Sequence, residues 1–121
     1  MHLVHWFEIP VVDVARAQAF YAGVFGVSFT PLSMGSHQMA MFPMEQGASG
    51  ASGALIAGTG HVPSTDGTTV YFSVDDIEGT LSKIETHGGS TCMPKIAIGE
   101  HGFIAHFKDT EGNKVALHSM K

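Results

Sequence analysis

The sequence predicts an α+β fold of two tandem βαβββ modules around a shared cleft. Three observations carry that prediction. An apolar helical stripe that begins after an aspartate and ends at a glycine occurs twice, Asp13 to Gly26 and Asp76 to Gly89. One offset of 63 carries Asp13 onto Asp76, Gly26 onto Gly89 and Trp6 onto Thr69. The last stretch, Phe103 to His118, alternates with a period of two on both sides of an Asp109-Thr110-Glu111-Gly112-Asn113 turn, which is the signature of an antiparallel hairpin.

Taken in order, His2 to Val12 is rich in β-branched and aromatic residues and reads as the first strand. Asp13 caps a helix over Val14 to Phe25, with Val14, Ala17, Tyr21 and Val24 on its apolar stripe, and Gly26 closes it. Strands follow at Val27 to Thr30 and Gln38 to Phe42, parted by the turn residues Ser33 to Ser36. The small-residue run Gly47 to Gly53 is a flexible loop, and Ala54 to Ala57 is a short apolar strand. The pattern restarts with a strand over Thr69 to Val74, a helix capped by Asp75-Asp76 with Ile77, Leu81 and Ile84 on one stripe, and Gly88-Gly89 as its stop. The first module thus spans about 1–58, a linker about 58–68 and the second module about 69–121 of a single domain. A module of this kind leaves one sheet face uncovered, so two set side by side enclose a cleft, and its wall is where chemistry is expected.

Composition narrows the function. At 121 residues, 44% hydrophobic and 14% charged, the chain is globular but carries fewer charges than the roughly 25% of typical soluble domains. A second copy covering part of the surface is the simplest reason, so a homodimer is expected. A net charge of -5 with no basic run excludes nucleic acid as a partner. The single Cys92 excludes an internal disulfide framework, and no signal peptide or apolar run of membrane length is present, so the expected compartment is the cytoplasm.

Four segments resemble the vicinal oxygen chelate superfamily, which includes glyoxalase I, bleomycin-resistance proteins and extradiol dioxygenases. They are Asp13 to Tyr21 with Phe25-Gly26, Val70 to Asp76, His87-Gly88-Gly89, and Lys108 to Asn113. Thr110 stands where the family's terminal turn usually has proline. Trp6 to Ile9 and the Val62 to Tyr71 stretch are most similar to a small glyoxalase-like group. The resemblance implies an open, incomplete barrel. It also implies four metal positions, filled in metal-dependent members by two His and two Glu. Here those positions fall at Trp6, Thr69, near Ala54 and at Ala116, none of which suits a transition metal. His5 lies one residue from the first position, which in a strand points to the opposite face. No metal ligand and no cofactor is therefore predicted, with a divalent metal kept as an alternative.

Side chains two apart on a strand share a face, so Glu8 joins Trp6, Tyr71 joins Thr69 and His118 joins Ala116 on the cleft wall. Glu8, His118 and Tyr71 are the catalytic candidates: a desolvated carboxylate serves as general base, and a phenol and an imidazole orient or exchange a proton. A structural role for Glu8, bonded to backbone or to His118, accounts for it equally well. Trp6, Thr69, Met39, Met41 and Ala116 are the ligand-binding candidates, the methionines as adaptable apolar lining or as core filling. His2, His37, His61, His87 and His101 read as solvated surface residues, Cys92 as a buried inert thiol, and His106 is assigned no role.

These residues point first to a small-molecule site without the standard metal ligands, used for binding or for metal-free acid-base chemistry. A divalent-metal-dependent lyase or dioxygenase similar to glyoxalase I, and a non-catalytic dimeric scaffold, are the alternatives. Whether the protein is an enzyme is left open by the sequence.

Overall fold

Asp13 and Asp76 perform the same task in the two halves of the protein. Each has extended backbone, and its carboxylate accepts from the N–H three residues on, Arg16 and Gly79 respectively, at 3.0 Å. That bond satisfies one of the donors a helix start leaves free. The structure, a computed structural model, describes residues 2–121. Its elements are β1 (Trp6–Pro10), α1 (Val14–Phe25), β2 (Thr30–Met34), β3 (His37–Met41), β4 (Ser52–Ala57), β5 (Tyr71–Ser73), α2 (Ile77–Thr86), β6 (Ser90–Ala97), β7 (Phe103–Lys108) and β8 (Lys114–Ser119), with one turn of 3-10 helix at Gly99–His101. This is βαβββ twice. No helix among the described residues is long and apolar enough to cross a membrane.

Each half forms a four-stranded sheet, in order β1-β4-β3-β2 and β5-β8-β7-β6. The first strand of each runs parallel to the last, because the helix carries the chain across in between. In the first sheet Glu8 stands opposite Ala54, and in the second Tyr71 stands opposite Ala116. Since Tyr71 lies 63 residues after Glu8, Ala54 and Ala116 occupy equivalent positions, which fixes the register that the sequence left approximate. The edge strands β1 and β5 approach each other through Phe7 and Phe72, whose rings meet edge to face at 5.8 Å. The two sheets remain separate, so the assembly is an open cleft rather than a closed barrel.

Both helices cover the same side. Ala17, Phe20, Tyr21 and Val24 of α1 and Ile77, Leu81 and Ile84 of α2 join Ile9, Leu55, Phe107, Val115 and Leu117 in one core that runs through both halves. Phe25 and Phe72 stack at 4.7 Å within it. The terminal turn ties the halves together. Asp109, Glu111 and Asn113 are all buried. Glu111 accepts from the backbone N–H groups of Val12 and Asp13, both at 2.9 Å, and from Arg16, while Asn113 donates to the Pro10 carbonyl at 2.7 Å. A carboxylate of the second half thus completes the cap of the first helix.

Three local expectations change. The strand expected at Val27 to Thr30 lies at Thr30–Met34, and the turn expected over Ser33 to Ser36 shrinks to Gly35-Ser36; Gly35 at φ 61 permits the tight reversal, so Ser33 joins the ladder. The β5 strand is shorter than Thr69 to Val74, although bonds from the Ala116 N–H to Val70 and from the Val74 N–H to His118 continue its pairing at both ends. Cys92 is exposed rather than buried. It sits on an edge strand where the β6–β7 register shifts between Thr91 and Met93, on the side away from the core.

Candidate functional site

The face of each sheet opposite the helices is the uncovered one. On the first sheet Trp6 and Met41 pack against a small buried cluster of Met39, Ala54 and Ile56. Glu8 shares that face and is exposed; its carboxylate accepts from the Trp6 indole N–H at 3.4 Å. In the single chain Glu8 is not desolvated, because the groove beside it is open to solvent, and its side-chain partner is the Trp6 indole rather than the backbone or His118 of the structural alternative.

A groove of about 910 Å³ runs along the edge strands, walled by Trp6, Phe7 and Glu8 on one side, Thr68 to Ser73 on the other, and Ser49 to Ser52 of the small-residue loop. Glu8 also borders two smaller hollows. One of about 280 Å³ is lined by His37, Met39, Ile56 and His61, and one of about 240 Å³ by Ser64, Asp66, Thr68, Lys114 and others. The structure thus brings Trp6, Glu8, Thr69 and Tyr71 together around one groove and places Met39 on the wall of a neighbouring hollow that shares Glu8. Met41, Ala116 and His118 lie on none of these walls. His118 is engaged elsewhere, with its ring Nε2 2.6 Å from the His101 carbonyl.

His106 is the residue that the sequence reading passed over. It stands opposite Ala116, which stands opposite Tyr71, so the three form one row across β7, β8 and β5 with their side chains on the open face. Alanine leaves room between its neighbours, and the imidazole and phenol rings lean together to 6.2 Å, edge to face. Among the described residues, Nε2 of His106 is the buried side-chain polar atom without a hydrogen-bond partner. Burial, and then the Lys114 ammonium, lower its pKa and favour the neutral ring. The signal available in the sequence was the alternation that set His106 apart from Phe103 and Phe107.

A family model described as "Bleomycin resistance protein-like N-terminal" matches residues 4–44. A glyoxylase-like domain-containing protein of Didymella fabae is 31% identical over 91% of this chain and 88% of its own length. The chain belongs to the glyoxalase/bleomycin-resistance superfamily. The anthracycline biosynthesis protein DnrV of Streptomyces peucetius is 28% identical over 93% of this chain, which spans only 45% of that protein. Among solved structures, a glyoxylase/bleomycin resistance protein/dioxygenase domain from Frankia sp. EAN1pec has a TM-score of 0.77 at 14% identity and covers 100% of this chain and 99% of its own. A glyoxalase I variant from Zea mays has a TM-score of 0.73 at 17% identity, with this chain covering 96% of itself and 45% of the maize protein. At those identities the structures speak for the superfamily's fold alone.

Proposed function

We propose that this superfamily member binds a flat aromatic or amphipathic small molecule in the groove between β1 and β5, without a metal ion at the superfamily's usual position. The observation that carries the reading is the equivalence of Ala54 and Ala116, opposite Glu8 and Tyr71 in the two parallel ladders. With Trp6 and Thr69 at the first-strand positions, the four places offer an indole, two methyl groups and one neutral hydroxyl. That donor set does not fit a divalent transition metal, which takes imidazole, thiolate or carboxylate.

The groove supplies what a flat ligand needs. Trp6 and Tyr71 present aromatic surface, the latter 49% exposed, and Glu8 and Thr69 present hydrogen-bonding groups that fix orientation. The name of the anthracycline biosynthesis relative agrees in kind with a polycyclic aromatic ligand. Relatives of about twice this length, of which this chain spans under half, support a working unit of two copies side by side. In such a homodimer Glu8 and Tyr71, both on the groove wall, are the groups available for acid-base chemistry.

Trp6 is the single tryptophan, so its emission reports on the groove. Titration with 1,8-dihydroxyanthraquinone in the presence of EDTA should give saturable quenching, weakened by Tyr71→Ala. Absence of saturable quenching by this probe and by a panel of flat aromatics, or binding abolished by EDTA, would overturn the reading.

A further inference from the structure

At the far end of the first sheet's open face, two histidines assigned to the solvated surface come together. His37 opens β3, and His61 follows β4 on a tight turn whose His61 N–H donates to the Gly58 carbonyl at 3.1 Å. Their rings meet edge to face with centroids 5.1 Å apart. Both line the 280 Å³ hollow that also holds Glu8 and Met39.

We propose that His37 and His61 form a binding site for a divalent transition-metal ion, separate from the position other superfamily members use. The centroid separation, within the range of an ordinary edge-to-face contact, also leaves room for one ion between the two rings. With metal–nitrogen bonds of about 2.0–2.1 Å and roughly 1.1 Å from nitrogen to ring centre, a tetrahedral angle separates the centroids by about 5.2 Å.

The surroundings hold the first ring in place as a ligand histidine is held. The Nε2 of His37 lies 3.2 Å from the Thr59 carbonyl, and a backbone carbonyl on one ring nitrogen orients the imidazole and leaves the other nitrogen for an ion. The His37 ring also rests on Gly58, where any Cβ would collide with it, so the turn is shaped to the ring. A net charge of -5 and the Glu8 carboxylate on the same wall favour a cation. No three His, Cys, Asp or Glu side chains converge among the described residues, so a site here has the two imidazoles as its protein donors and takes its remaining ligands from solvent. Imidazole donors select copper, nickel and zinc over magnesium and calcium, with copper the tightest.

The test uses the whole chain, stripped of metal by EDTA and returned to chelator-free buffer. Zn2+ and Ni2+ are titrated by calorimetry, and Cu2+ is followed by electron paramagnetic resonance. Expected are one ion per chain, hyperfine structure from two imidazole nitrogens, and no heat from Mg2+. Loss of either ring, by His37→Ala or His61→Gln, weakens binding by roughly tenfold or more, whereas His2→Ala and His101→Ala do not. His61→Gln changes a turn residue outside the sheets, so a folded variant is available for comparison. Absence of binding to the wild type, or full affinity in the His37→Ala and His61→Gln variants, overturns the proposal. Retention of anthraquinone quenching in those variants keeps the two sites apart.

Discussion

The Tyr21 hydroxyl donates to Asp109 Oδ2 at 2.7 Å, joining α1 to the terminal turn across 88 positions of sequence. Tyr21 is fully buried, and burial followed by the Asp109 charge raises its pKa well above the usual value, so it stays a donor. Asp109 in turn accepts from the N–H groups of Glu111 and Asn113 at 2.8 and 2.9 Å and from the Asn113 amide at 3.0 Å. Tyr21→Phe removes one bond to a charged acceptor while preserving the ring that packs against Phe20 and Phe42. A loss of about 1.5–3 kcal/mol is expected, read as a lower urea midpoint with an unchanged m-value. An unchanged midpoint would show that the bond contributes nothing net.

Glu111 gives a pH signature. Burial by itself would raise its pKa, but hydrogen bonds from Arg16, the Asp13 and Val12 backbone and the Thr110 hydroxyl outweigh that and lower it from 4.5 to about 2. The folded value lies below the unfolded one, so the stabilisation is complete above pH 4.5 and is lost as pH falls towards 2. The Glu111 side chain is buried but its Arg16 partner is half exposed, so solvent screening reduces the effect to on the order of 1–2 kcal/mol. Glu111→Gln should be less stable at pH 7 and should show a flatter stability profile between pH 5 and pH 2. Parallel profiles for the two proteins would contradict this assignment.

His106 should act in the opposite way to a stabilising residue. Its Nε2 is buried without a partner, and leaving such a group unpaired costs about 1–3 kcal/mol. Because its folded pKa is lowered, the unfolded chain takes up the proton first, and stability falls as pH drops below the ordinary value of 6.5. His106→Leu is expected to match or exceed the wild type at pH 7 and to exceed it further at pH 5.5, by thermal unfolding. A variant that loses stability equally at both pH values would show that the ring packs rather than strains.

Gly53 faces Phe7 across the β1–β4 ladder, and a Cβ there would collide with the Phe7 carbonyl and ring. Gly53→Ala should cost on the order of 2–3 kcal/mol and displace β1, whose open face carries Trp6 and Glu8. Trp6 emission should therefore shift in the folded variant. Unaltered emission with unaltered stability would mean that the two strands separate without cost.

What the sequence made legible was whatever depends on local chemistry. Asp13, Asp76 and Gly26 declare the helix ends because capping needs specific side chains or a left-handed residue, and Gly26 sits at φ 67. The offset of 63 revealed the duplication because both halves obey the same local rules. What depends on register or on distance along the chain stayed hidden. The exact register at Ala54, only approximate in the sequence, needed the two ladders, and the row of Tyr71, Ala116 and His106 needed three strands aligned. Cys92 is exposed rather than buried because a shift in the β6–β7 pairing decides which neighbours cover it. The meeting of His37 with His61 likewise depends on a turn closing beside a strand start, which no periodicity announces.

The capping of α1 by Glu111 has a consequence in time. During synthesis the Asp13 N–H and the Arg16 guanidinium wait for a carboxylate that lies 98 positions beyond Asp13. At about 5–20 residues per second, the ribosome takes roughly 5–20 seconds to deliver it. Through that interval the first half carries Phe20 and Tyr21 on a helix whose lock has not yet been made. The first half can already set Tyr21 against its own Phe42 in that interval, but the cap of α1 is complete only once the Asp109 to Asn113 turn arrives, so the order of synthesis makes the lock on the first helix a late event.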